Sequence, residues 1–182
     1  MAKAIGMVEY TTIAVGIQAA DLMVKTAEVE LLEAQTVCPG KYIAIIAGNL
    51  SAVKAAVDSS KEKFPQNLID SFVLGNPHED IFPAIYGASE VGEVEALGVL
   101  ETFSAASIIV AADIAAKTAI VKLIELRVAK GMCGKSYMLI TGEVAAVDAA
   151  IEKAKSALKD GGLVVGSSVI PRPDKKLWKT IL

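Results

Sequence analysis

Histidine and cysteine are almost missing from this chain: one histidine, His78, and two cysteines, Cys38 and Cys133, among 182 residues. A single chain cannot build a zinc or iron–sulfur site from that stock, because such sites ordinarily take four Cys or His ligands at short spacings. A Ser-His-Asp or Cys-His arrangement would have to pass through His78, whose setting, GNPHED, resembles no nucleophile motif. Ordinary hydrolytic chemistry is not expected on those grounds. Aromatic residues are only 5% of the chain, which suits small-residue helix packing better than a pocket lined with large rings. The 18 basic residues are scattered, the net charge is −3 and the isoelectric point is near 5.3, so a nucleic acid or an anionic membrane surface is not the expected partner. Long hydrophobic runs are missing too. The longest uncharged stretch, between Lys41 and Lys54, has twelve residues, against roughly 20 needed to cross a bilayer. The opening MAKAIGMVEY reaches Glu9 before any secretory hydrophobic segment can form, and a cytosolic protein is expected.

What is present is ample apolar residue, 53% hydrophobic with a mean hydropathy of +0.50, enough for a sizeable core. The chain also repeats itself. The segment from Ala4 realigns with the segment from Ala96 at a shift of 92, pairing Gly6/Gly98, Glu9/Glu101, Asp21/Asp113, Lys25/Lys117, Thr26/Thr118 and Glu33/Glu125. GNLSAVKAAV at Gly48 then matches GEVAAVDAAI at Gly142 at a shift of 94, and the same shift puts Pro77 on Pro171 and His78 on Arg172. The second copy therefore gains two residues where TVCPGKY faces VAKGMCGKSY. Two domains, 1–90 and 91–182, joined near Ala88–Glu95, account for the whole sequence.

Within a copy, AIGMVEY alternates and is rich in β-formers, giving a strand over 4–10. Residues 13–27 place Ile13, Ile17, Ala20 and Val24 on one helical face with Lys25 off it, an amphipathic helix. VELLEAQTV reads as a second strand, CPGK as a tight turn and YIAIIAG as a third strand. Ser51 is the expected N-cap of a helix running to about Lys63, Phe64-Pro65 ends it, and LIDSFVLGN supplies a fourth strand. The fold class is α+β, an α/β sandwich of tandem ferredoxin-like β-α-β-β-α-β units, each with a short tail, HEDIFPAIYG or DKKLWKTI. That topology by itself assigns no function.

The strings AIGMVEY, AADLMVKTAEVEL, GNLSAVKAAV and VIPRPD make the assignment narrower, since they follow in order and have counterparts in the other half, although the first half has GNPHED where the second has IPRPDK. The sequence resembles the bacterial microcompartment (BMC) shell domain, which carries similar strings, with Asp174 standing where that family usually has His. TVCPGK further resembles tandem-domain members of the propanediol-utilisation type. The resemblance implies a structural, non-enzymatic protein: a pseudohexameric homotrimer tiling with other microcompartment shell proteins, in a shell within the cytoplasm, serving encapsulated redox enzymes. It implies that the turns Pro39, Gly40, Lys41 and Gly131, Met132, Cys133, Gly134 line a central pore. It implies that Cys38 from three chains ligates one [4Fe-4S] cluster per trimer, for electron transfer across the shell, and that Lys25, Lys117 and Arg172 lie at the tile edge.

The residues also admit plainer readings. A lone cysteine in an apolar chain is commonly an inert buried thiol, and an exposed lysine is commonly just solvated. Cys133 reads as a pore-rim thiol, His78 as a surface residue, and Glu9 and Glu101 as polar groups on a half-buried strand. Two other functions fit the pattern: a pore without a cluster that conducts metabolites, and a tandem ferredoxin-like module that binds a regulatory ligand.

Overall fold

The computed structural model describes residues 4–92, 95–158 and 164–181; Met1–Lys3 and, in the joining segment, Glu93 and Val94 lie outside them. The first half runs β1 (Ala4–Tyr10), α1 (Ile13–Thr26), β2 (Val29–Val37), β3 (Lys41–Gly48), α2 (Leu50–Lys63), β4 (Leu68–Leu74) and a short α3 (Ile81–Ile85). The second runs β5 (Ala96–Thr102), α4 (Ala105–Thr118), β6 (Val121–Arg127), β7 (Ser136–Gly142), α5 (Val144–Leu158), β8 (Val164–Pro171) and α6 (Lys175–Ile181). Each half builds an antiparallel four-stranded sheet, ordered β2-β3-β1-β4 and β6-β7-β5-β8, the split β-α-β arrangement expected from the sequence.

Each sheet carries its own two helices on one face. Side chains alternate along β1, so Val8 and Tyr10 pack under α2 with Val53 and Val57 while Ile5 and Met7 point to the opposite face. Gly6 and Gly98 make close helix packing possible, since a Cβ at Gly6 would stand 2.6 Å from Val53 and one at Gly98 would stand 2.7 Å from Val147. The buried Tyr10 hydroxyl donates to the Ser60 carbonyl at 2.9 Å, and its ring meets Phe64 edge to face at 6.2 Å.

The halves are joined by burial as well as by chain. α4 lies between its own sheet and the outer face of the first sheet, so one continuous core takes in Ile5, Met7, Ile45, Phe72, Ile108 and Ile109. This explains why β1 and β3 are apolar along their length: both of their faces are covered.

Three expectations change. The N-cap of α2 is Asn49, and Ser51 falls in the first turn; the helix begins directly after the glycine that ends β3. On α1 the buried residues are Gly16, Ala19, Ala20 and Met23, whereas Ile13, Ile17 and Val24 are exposed. A Cβ at Gly16 would stand 2.3–2.6 Å from the Tyr42 side chain, so α1 meets its own sheet through Gly16, Ala19, Ala20 and Met23 and turns Ile13, Ile17 and Val24 outward. Finally, Ile5 pairs with Leu74 and Leu97 with Ile170, a shift of 96. Asn76 therefore corresponds to Arg172, both at positive φ, Pro77 to Pro173 and His78 to Asp174. The further shift of two arises between Leu50 and Val144, which begin α2 and α5, and Leu68 and Val164, which pair with Tyr10 and Thr102.

Candidate functional site

The two β-turns expected to line a pore lie against each other. The first, Cys38–Gly40, closes with Gly40 N donating to the Val37 carbonyl at 3.0 Å, and Gly40 at φ 93° occupies the left-handed region that suits glycine. The second is longer and is held by Lys135 N donating to the Met132 carbonyl at 3.0 Å and by Ala129 N donating to Ser136 Oγ at 3.0 Å. Cys38 N donates to the Ala129 carbonyl at 3.1 Å, tying one turn to the other. Gly134 sits so close to Cys38 and Pro39 that an added Cβ would be 3.2 Å from each. Lys130 spans the halves to Glu33 at 3.5 Å.

Cys38 is partly exposed and Cys133 exposed, both as free thiols. Cys38, Pro39 and Gly40 open onto a surface cavity of about 460 Å³ that Ile13, Lys130 and Gly131 also line. Met132 faces elsewhere, into a larger groove beside Glu101 and Tyr137. Among the described residues no group of three or more His, Cys, Asp or Glu side chains is placed to hold a metal ion. Cys38 supplies one soft thiolate-forming donor at an accessible turn, so this chain fits an iron–sulfur cluster only as one contributor among several.

Beneath the first turn lies a buried carboxylate whose environment differs from the half-buried one expected. Glu9 is fully buried, paired with Lys41 through Oε1, and its Oε2 accepts from Ala105 N, at the start of α4, at 3.0 Å. Lys41 also reaches the Gly134 carbonyl at 3.5 Å. Asp70 accepts from Ser107 Oγ at 2.9 Å and from Ser104 Oγ at the same helix end. The recurrence of both Glu9/Glu101 and Lys41/Lys135 in the repeat was the available signal for this pair; nothing in the sequence placed a helix from the other half above it. The second pair is looser, Lys135 to Glu101 at 3.5 Å.

Lys25 and Lys117, equivalent by repeat, have different surroundings. Lys25 pairs with Asp21 at 2.6 Å in the open. Lys117 pairs with Asp113 at 2.6 Å and also donates to the Asn76 carbonyl at 2.9 Å, across the junction between halves. Arg172 is exposed, with its N–H on the Glu95 carbonyl at 2.8 Å. His78 is half-buried; its N–H donates to Asp113 at 2.8 Å and its Nδ1 accepts from Asp80 N at 3.3 Å, a structural role at the same junction.

Two copies of one unit, each offering its β-turn at a shared corner, match the BMC domain over residues 4–77 and again over 96–173. The chain belongs to the bacterial microcompartment shell proteins. It is 40% identical to the bacterial microcompartment shell protein PduT of Citrobacter freundii, over 100% of this chain and 99% of that one. The crystal structure of a microcompartment protein from Desulfitobacterium hafniense superposes with a TM-score of 0.88 at 44% identity, covering 98% and 99% of the two chains. A fused permuted hexameric shell protein from the RMM microcompartment shares the fold, with a TM-score of 0.65 at 23% identity over 87% of this chain and 82% of that one.

Proposed function

We propose that this shell protein is a trimeric pore tile in which Cys38 of three chains holds a [4Fe-4S] cluster that carries electrons across the shell. The observation that carries the reading is the abutment of the Cys38 turn on the 129–134 turn, which puts both candidate pore segments at one corner of the two-domain unit. A threefold axis at that corner gathers three thiols, and the partly exposed Cys38 is free to point into the shared space. A bound cluster supplies one-electron redox chemistry at a potential tuned by hydrogen bonds and solvent exposure. The chain's own part is to fix the turn: the Cys38 N–H is held by Ala129, Gly40 closes the bend, and Lys41 anchors the turn to the buried Glu9. The tile assembles with other shell proteins through an edge that includes Lys25, Lys117 and Arg172, and encapsulated redox enzymes are the electron partners.

The test is iron and sulfide analysis with electron paramagnetic resonance on protein purified anaerobically. Wild-type trimer should contain cluster, and Cys38→Ser should lose it while remaining a trimer. Iron-free wild-type trimer after anaerobic reconstitution would leave a plain metabolite pore; a monomer binding a small ligand would leave the regulatory module.

A further inference from the structure

We infer that, where the outer face of the second sheet meets α1 of the next copy in the trimer proposed above, Glu30 and Lys176 form a charge-inverted key that makes unlike halves alternate; the inference rests on that trimeric reading. The junction inside the chain is the template. There α4 covers the outer face of the first sheet, burying Ile5, Met7, Ile43 and Ile45, while Glu9 accepts from the helix start. The equivalent residues of the second sheet, Leu97, Val99, Tyr137, Leu139 and Glu101, line an open groove of about 620 Å³. The Glu101 side chain is 36% exposed where that of Glu9 is 0%. Among the described residues the helix that lacks such a seat is α1: Ile13, Ile17 and Val24 are 40%, 53% and 39% exposed, whereas their equivalents Ala105, Ile109 and Ala116 on α4 are 0%, 0% and 8%. Each chain thus ends its internal pairing with one open groove and one helix whose outer face is uncovered, the two halves of a head-to-tail contact that closes into a ring. In that contact Glu101 stands where it can accept from the start of a second copy's α1, as Glu9 does for α4.

The key is a pair of substitutions of opposite sign. Within the chain, Asp80 beside α3 pairs with Lys122 of β6 at 2.7 Å. The register that equates Leu74 with Ile170 carries Asp80 onto Lys176, and the shift of 92 carries Lys122 onto Glu30. The second junction therefore sets Lys176 against Glu30, with the signs exchanged. A first half docked on another first half would face Asp80 with Glu30, and a second half on another second half would face Lys176 with Lys122. Both mismatches place like charges together, so the halves are driven to alternate. The tail agrees: Ile81, Phe82 and Ile85 are matched in spacing by Leu177, Trp178 and Ile181, yet α3 has buried residues whereas α6 has none, its Trp178 and Ile181 only partly covered where they rest against Leu97, Ile124 and Leu139 at the side of the groove.

Sedimentation velocity over a dilution series of the full chain tests this. Lys176→Glu and Glu30→Lys should each raise the concentration of half-dissociation about tenfold, as three weakened ion pairs per ring require, and the double exchange, which leaves net charge unchanged, should restore it to within about twofold. Ile17→Glu, at an exposed site in the monomer, should dissociate the trimer without lowering the monomer's melting temperature. A wild-type trimer indifferent to the single charge reversals would overturn the key, and one indifferent to Ile17→Glu would overturn the seat. A wild type that is monomeric at every concentration would instead remove the trimeric reading.

Discussion

Replacing Glu9 by glutamine should destabilise the chain far more than the same change at Glu101, although the two residues occupy equivalent places. Glu9 is fully buried, satisfies the Lys41 ammonium with one oxygen and the Ala105 N–H with the other at 3.0 Å, and Lys41 itself is only 13% exposed. A glutamine can satisfy one donor with its carbonyl but turns an NH2 toward the second, leaving a buried ammonium without its counter-charge. Breaking a buried ion pair from one side costs about 3–5 kcal/mol. At about 2–4 °C per kcal/mol for a chain of this size, the melting temperature should fall by about 6–20 °C. Glu101 and Lys135 are 3.5 Å apart and more than a third exposed, so Glu101→Gln in dilute, monomeric protein should cost at most about 1 kcal/mol. A third variant separates the two parts of the effect. Glu9→Leu with Lys41→Met removes both charges and should recover most of the loss, but the orphaned Ala105 N–H keeps a residual penalty of about 1–3 kcal/mol. Scanning calorimetry or thermal circular dichroism reads all three. Equal, small shifts for Glu9→Gln and Glu101→Gln would refute the assignment of Glu9 as the buried link between the halves.

Two further outcomes are expected. Ultraviolet titration of the tyrosines should show Tyr137 ionising last, at about 12, because burial, and then its 2.6 Å hydrogen bond to Glu125 and that carboxylate's charge, outweigh the favourable Arg127. The raised value means that the fold favours the neutral phenol, so this contribution to stability is whole below about 10 and is lost as pH rises through about 12; Tyr137→Phe should remove both the late step and that loss. Lys25→Ala, which breaks an exposed pair with Asp21, should change stability by less than about 0.5 kcal/mol yet reduce the two-dimensional sheets seen by electron microscopy; unaltered sheets would remove the edge role.

Much of the architecture was legible because the chain writes it twice. The extents of β1 and β2 follow from alternation and β-branched content, and the glycine before α2 marks where β3 stops. The cap of α2 was displaced because Asn49 and Ser51 are both good capping residues and pattern alone does not choose between them. The reading of α1 failed for a deeper reason: a stripe of Ile13, Ile17 and Val24 reports that some apolar partner exists, not that the partner belongs to the same sheet. The tail equivalence slipped by two residues because matched prolines outweighed a Ser-containing strand, β8, with few apolar landmarks; only pairing with β5 sets its register. Cys38 was legible as an accessible turn residue, whereas the contact between its turn and Ala129 depends on distant chain segments that no local pattern encodes.

Asp70 binds the hydroxyls of Ser104 and Ser107 inside the chain, and strand register places Gly166, which has no side chain, at its counterpart. In the trimer proposed above, a ring of six such units would therefore be alike in outline but not in strength from one seam to the next. Under strain it would part at every second seam, shedding intact polypeptides with their inner joints still closed, so the natural quantum of exchange is the whole chain and never half of one.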